Sequence, residues 1–381
     1  MPFRPFFLAA ALYAGLPVAL WLPAALGLPT ALGHGAAAGL AARHAEMLLF
    51  GMIPAAMAGF MLTALPRWTG RAVWPRHAGA LLLALWLAGR LGVLPALMPL
   101  ALAAIVAGNI LAARDARNAG PALLVALFAA GGVLLRVSAT AMPGLRLGLA
   151  SVVALQMILA GRIIPALTAR HVKLRTGTEP LLRHRAVEWL AAPPTLAALA
   201  AWVAAPESAA AAWLALPAAA GQAARLLGWQ GWRAWRAPPV LALHLAYAWL
   251  PAGFLLLAWH GADPSRPGPL AAVHAWAVGG VAVLCLGIMS SMIRRHTGRA
   301  FAFSPAATAC FAAGLLASVA RLAVELAPGD WRAPALLAAI LLWCACYALF
   351  LVAFGAALLP ARRRAARIRP GRTVPRAPGC A

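Results

Sequence analysis

Two histidines head closely similar stretches of this chain. His44-Ala45-Glu46 opens an apolar, helix-length segment that ends Arg67-Trp68-Thr69-Gly70-Arg71-Ala72. His274-Ala275-Trp276 opens another that ends Arg295-His296-Thr297-Gly298-Arg299-Ala300. An imidazole in or beside hydrocarbon is costly unless something holds it. Two at matching depths in repeated helices point to one shared polar or metal site. Imidazole binds haem iron, copper or zinc, and such sites form between facing helices of a bundle. Taken singly, each histidine could equally cap a helix or meet interfacial water.

Other residues extend the inventory. His244 lies between Leu243 and Leu245, which makes a solvated role hard to assign. His296 falls in the basic turn after its segment, where a solvated or phosphate-facing role competes. Together they form a candidate second, inner site. Met289 lies about two helical turns before His296; it offers a soft thioether for copper or fills a core gap. Charges inside apolar segments are few: Glu46, Arg136, and Arg321 with Glu325 at i and i+4. All four are expected on the side of His44 and His274. They make either a polar pocket, in which Glu46 relays protons or balances a cofactor charge, or ion pairs that pin helices together. His34, His77, His171, His184 and His260 fall in connections or at segment edges and read as surface residues. The five cysteines are odd in number and mostly lie in apolar runs, so no disulfide framework follows. Cys344 and Cys346 read as packing residues on different helix faces. No Walker, zinc-protease, Rossmann or hydrolase motif is present.

The elements that position these residues follow from composition. Of 381 residues, 64% are hydrophobic and 10% charged, against about 25% charged in a soluble domain. Apolar runs recur from end to end, so the fold class is an all-α polytopic membrane bundle, its backbone satisfied within helices inside the lipid bilayer. About twelve spans are expected, near 6–28, 45–66, 76–96, 98–114, 120–141, 146–168, 186–204, 208–228, 238–259, 270–292, 302–326 and 333–359. The first reads as an uncleaved helix. Residues 1–361 form the transmembrane domain and 362–381 a basic, disordered cytoplasmic tail. The net charge of +24 does not indicate nucleic acid, because the arginines cluster in connections between spans. They favour the side reached by the even-numbered spans, which places both termini in the cytoplasm. Tyr13-Ala14-Gly15-Leu16-Pro17 is echoed by Tyr247-Ala248-Trp249-Leu250-Pro251, and Pro66 to Arg71 by Pro165-Ala166-Leu167-Thr168-Ala169-Arg170. Three parallel four-helix units account for these echoes, with functional groups expected at their interfaces.

Several motifs also resemble the NnrS family of bacterial haem- and copper-containing membrane proteins. They are Phe3-Arg4-Pro5-Phe6-Phe7, His44-Ala45-Glu46-Met47-Leu48-Leu49-Phe50-Gly51, Ala64-Leu65-Pro66-Arg67-Trp68-Thr69-Gly70, Gly161-Arg162-Ile163-Ile164-Pro165, His244-Leu245-Ala246-Tyr247-Ala248-Trp249, His274-Ala275-Trp276-Ala277-Val278-Gly279 and His296-Thr297-Gly298-Arg299. The resemblance covers essentially the whole chain. It implies twelve membrane helices, bound haem and copper, and relief of nitric oxide or nitrosative stress, often beside denitrification genes. By motif it makes His44, His244, His274 and His296 the ligand candidates. Two departures stand out. The family pattern His-x-His-Glu-Met is here one histidine short, with Glu46 in its place, and Arg136 stands where relatives often carry histidine. A haem/copper redox protein acting on nitric oxide is therefore expected, with histidine-held metal near the outer leaflet and a membrane or periplasmic electron donor. The alternative is a secondary transporter of a metal or small solute whose histidines bind cargo transiently.

Overall fold

Long runs of Ala, Leu and Val leave the backbone no partner but itself in hydrocarbon, and the chain answers with helices. The computed structural model describes residues 1–26, 43–178, 180, 185–263, 268–298 and 304–359. The expected tail over 362–381, His34 and His184 lie outside these residues. Among the described residues there are twelve helical rods and no strands. They are α1 (Phe3–Ala19), α2 (Arg43–Thr69), α3 (Ala78–Arg90), α4 (Leu97–Ala112), α5 (Ala119–Leu134), α6 (Ala141–Thr176), α7 (Arg185–Ala204), α8 (Ala209–Gly228), α9 (Pro238–Ala262), α10 (Leu270–Thr297), α11 (Pro305–Leu326) and α12 (Gly329–Leu358). Eight are long and apolar enough to cross a membrane.

Burial follows the expected repeat. The membrane-length windows of α2, α6 and α10 are 78%, 78% and 72% buried, against 28% to 61% for the other five long helices. These three are the second rods of the three four-helix units. Their ends share one device. Gly70, Gly177 and Gly298 take left-handed conformations at φ +68°, +72° and +67°, the role glycine fills at helix C-termini. The preceding Thr69, Thr176 and Thr297 each donate their hydroxyl to the carbonyl four residues back, at 2.8, 3.0 and 2.8 Å. The middle copy therefore ends at Thr176-Gly177, not at the expected Thr168-Ala169. Without a glycine at 169 nothing stops the helix there, and α6 runs on to residue 176.

Two further boundaries differ from expectation. α5 stops at Leu134, so Arg136 stands in the turn before α6 rather than inside a span. α3 has only 13 residues; the chain turns after Arg90 through Gly92 and Leu94, both at positive φ. Close approach of α5 and α6 relies on small residues: a Cβ on Gly131 would lie 2.7 Å from the Gly144 carbonyl. The last rod packs on the first. Phe3, Phe6 and Phe7 of α1 and Phe350 and Phe354 of α12 are fully buried, and Trp343 Nε1 donates to the Ala14 carbonyl at 2.9 Å.

Candidate functional site

Both repeated histidines stand beside a widened helical turn. In α2 the π-helical segment Leu48–Met52 follows His44; in α10 the π-helical segment Ala275–Ala282 begins immediately after His274. Such turns are rare, redirect side chains and leave carbonyls that need outside donors. The donors are present. Trp86 Nε1 reaches the Gly51 carbonyl at 2.8 Å and Arg90 the Phe50 carbonyl at 3.2 Å. Gln156 of α6 donates to the Val281 carbonyl at 3.2 Å.

His44 and His274 line the same two adjoining cavities, of about 320 and 220 Å³. The first is also walled by Val18, Trp21, Arg321 and Ile340; the second by Leu149, Met52, Arg146 and Trp202. Trp343 lines both. His274 Nδ1 lies 2.8 Å from the Leu270 carbonyl. A carbonyl only accepts, so Nδ1 carries the proton and a neutral ring keeps its lone pair on Nε2. Metal-ligating histidines are held in this way. His44 Nδ1 is buried without a close hydrogen-bond partner, the ring lies by the Pro17 carbonyl of α1, and it meets Trp21 edge-on at 6.0 Å between centroids. An orphaned buried polar atom needs an explanation in a folded protein.

The remaining candidates are dispersed. Glu46 pairs with Arg136 at 2.5 Å, their side chains 33% and 37% exposed, and lines neither cavity. Arg321 and Glu325 pair at 2.9 Å. Met289 borders a separate small cavity of about 40 Å³ with Met57, Met61 and Cys285. His244 Nε2 meets the Thr168 hydroxyl at 2.9 Å, beside the Trp229 ring. His296 Nε2 instead accepts from Arg67 at 2.7 Å and faces the Phe3 ring. These two histidines share no neighbour in these contacts, so the expected inner pair is not brought together. His77 is exposed as expected. His260 and His171 are not simple surface residues: His260 faces Glu207 at 3.4 Å with its side chain 13% exposed, and His171 Nε2 is buried. Cys346 meets Cys310 of α11, Sγ to Sγ at 3.9 Å, both thiols buried.

The family model described as NnrS protein matches residues 1–362. The chain belongs to the NnrS family. No curated protein matches it.

The motif resemblance raised the expectation of two cofactors, haem and copper, and the side chains suit them unequally. For haem, two imidazoles on facing helices border one space, one with its tautomer fixed and the other with an orphaned nitrogen. The cavities approach the roughly 300–1,000 Å³ typical of small-molecule sites. For copper, no three His, Cys, Asp or Glu side chains come together among the described residues.

One polar cluster in this NnrS chain escaped the sequence. Arg225, 5% exposed, donates to Glu188 at 2.8 Å, to the Tyr247 hydroxyl at 2.6 Å and to Gln222 Oε1 at 2.9 Å. The Tyr247 hydroxyl also donates to Gln222, Gln222 reaches Thr195 at 2.7 Å, and Trp229 Nε1 meets Glu188 at 3.1 Å. Gly161 leaves room for the guanidinium, which a Cβ there would strike. Position near a helix end made Arg225 look like one more rim arginine. The signal that could have found it is Glu188, one of eight acidic residues in the chain.

Proposed function

We propose that the chain holds haem between α2 and α10, with His44 and His274 as its protein ligands, and that it protects a bacterial inner membrane from nitric oxide. The observation that carries this is the shared lining: two histidines, distant in sequence, border the same two adjoining cavities between two well-buried helices. Haem iron supplies a centre that binds nitric oxide or passes an electron. The protein's part is to hold and to exclude. The Leu270 carbonyl keeps the His274 lone pair on Nε2, and Trp343, Ile340 and Leu48 give the first cavity an apolar wall. If His44 and His274 both hold the haem, the chemistry it would supply is electron transfer or nitric oxide binding. No step is assigned to copper.

Orientation follows from charge. The Thr-Gly ends of α2, α6 and α10 carry Arg67, Arg71, Lys173, Arg175, Arg294 and Arg295, which supports a cytoplasmic position for that side by the positive-inside rule. Both termini then face the cytoplasm, and the cavity lies toward the outer leaflet, within reach of a membrane or periplasmic donor.

The visible spectrum and iron content of the purified protein test the proposal. A Soret band with stoichiometric iron is expected, and His44→Ala and His274→Ala should each alter it. An unchanged spectrum in both variants would refute the ligand assignment. The second reading, transport, draws on the π-helical breaks in two matching helices, since transporter sites use interrupted helices at repeat interfaces. It predicts a colourless protein that takes up its solute only when supplied.

A further inference from the structure

The cavity at His44 and His274 has polar groups that the imidazoles do not explain. Trp21, just beyond α1, lines the first of the two adjoining cavities, and Arg146 of α6 lines the second. Arg146 Nη1 and Trp21 Nε1 are buried and have no hydrogen-bond partner. A buried donor without an acceptor is expensive, more so when charged, so each calls for an acceptor. Charge singles out Arg146. Glu46 is taken by Arg136 and Glu325 by Arg321. Arg146 makes one long contact, Nε to the Met142 carbonyl at 3.4 Å, and has no carboxylate partner among the described residues. The neighbouring wall is apolar, formed by Leu49, Leu145, Leu149 and Val281. An arginine without a carboxylate partner at the wall of a largely apolar cavity that two imidazoles also line describes an occupant with a broad apolar body and an anionic edge.

We infer that Arg146 is the carboxylate anchor of the second cavity, its guanidinium donating to a propionate oxygen of the porphyrin. The inference rests on the haem reading above and adds a residue that no motif carries. Arg321, already neutralised by Glu325, is a poorer anchor than Arg146, whose charge is unopposed. The anchor would fix which edge of the ring faces α6. Arginine suits this role because its planar fork matches a carboxylate.

The test compares two porphyrins that differ only in charge. Full-length protein, produced without haem and held in detergent, is titrated with ferric protoporphyrin IX and with its dimethyl ester, following the Soret band. The diester keeps iron and ring but loses both carboxylates. Wild type should bind the free acid roughly 10-fold or more tightly than the ester, as loss of a charge-assisted hydrogen bond implies. Arg146→Ala should lose most of that preference while binding the ester as wild type does, and Arg146→Lys should keep part of it. Equal binding of acid and ester by wild type overturns the anchor and leaves histidine ligation standing. So does a preference that survives in Arg146→Ala. Equal weakening of both porphyrins in that variant marks a packing role and also overturns it. No Soret change with either porphyrin on wild type overturns the haem reading and the anchor together.

Discussion

The Trp86 indole donates to the Gly51 carbonyl at 2.8 Å, from α3 into the π-helical turn of α2. Arg90, one helical turn further on, holds the neighbouring Phe50 carbonyl and stacks against Tyr13 of α1. The short helix α3 thus supports the widened turn that follows His44, and it does so with side chains rather than backbone.

Trp86→Phe keeps the ring and removes the donor. The Gly51 carbonyl is then left without its partner in a buried site, at a cost of ~1–3 kcal/mol. Thermal unfolding in detergent should show a lower midpoint at unchanged helix content. A variant as stable as wild type would mean that water or another group satisfies the carbonyl.

Glu46 gives the opposite expectation. Its pair with Arg136 is about one-third exposed on each side, and exposed pairs contribute ~0–1 kcal/mol. Glu46→Gln should therefore change stability little and leave any Soret band in place, because the side chain borders neither cavity. Loss of the band would restore Glu46 to the cofactor site.

Arg225 lies at the other extreme. Removing one partner of a buried pair leaves an uncompensated charge and costs about 3–5 kcal/mol. Arg225→Ala should lose folded protein on mild heating, whereas Glu188→Gln with Arg225→Met should recover much of the loss. A single variant that melts like wild type would show that Glu188 finds solvent or another cation.

Much of the architecture was legible because bilayer helices announce themselves by length and hydropathy, and because His44 and His274 sit in repeated motifs. What escaped has physical causes. The π-helical turns depend on donors such as Trp86 and Gln156, which come from other helices and leave no local pattern. Arg225 sits near a helix end, where cations ordinarily reach water, and its burial is tolerable because Glu188, 37 residues earlier in the sequence, balances its charge while Tyr247 and Gln222 take further donors. The end of the middle repeat was misplaced because a Thr without a following Gly, at Thr168, mimics the cap that Thr176 and Gly177 make. His244 and His296 were paired by their common side of the membrane, but lateral position around the bundle cannot be read from hydropathy.

Val18 and Trp21 wall the histidine cavity from the start of the chain, and Ile340 and Trp343 wall it from near the end. A ribosome delivers these sides in that order, with every other rod in between. Until the final hydrophobic stretch has entered the bilayer the chamber has no back, and both imidazoles face open lipid or unfinished protein. A chain truncated before its last rod would keep both histidines but lose the Ile340 and Trp343 wall, so any ligand bound there should be held less tightly.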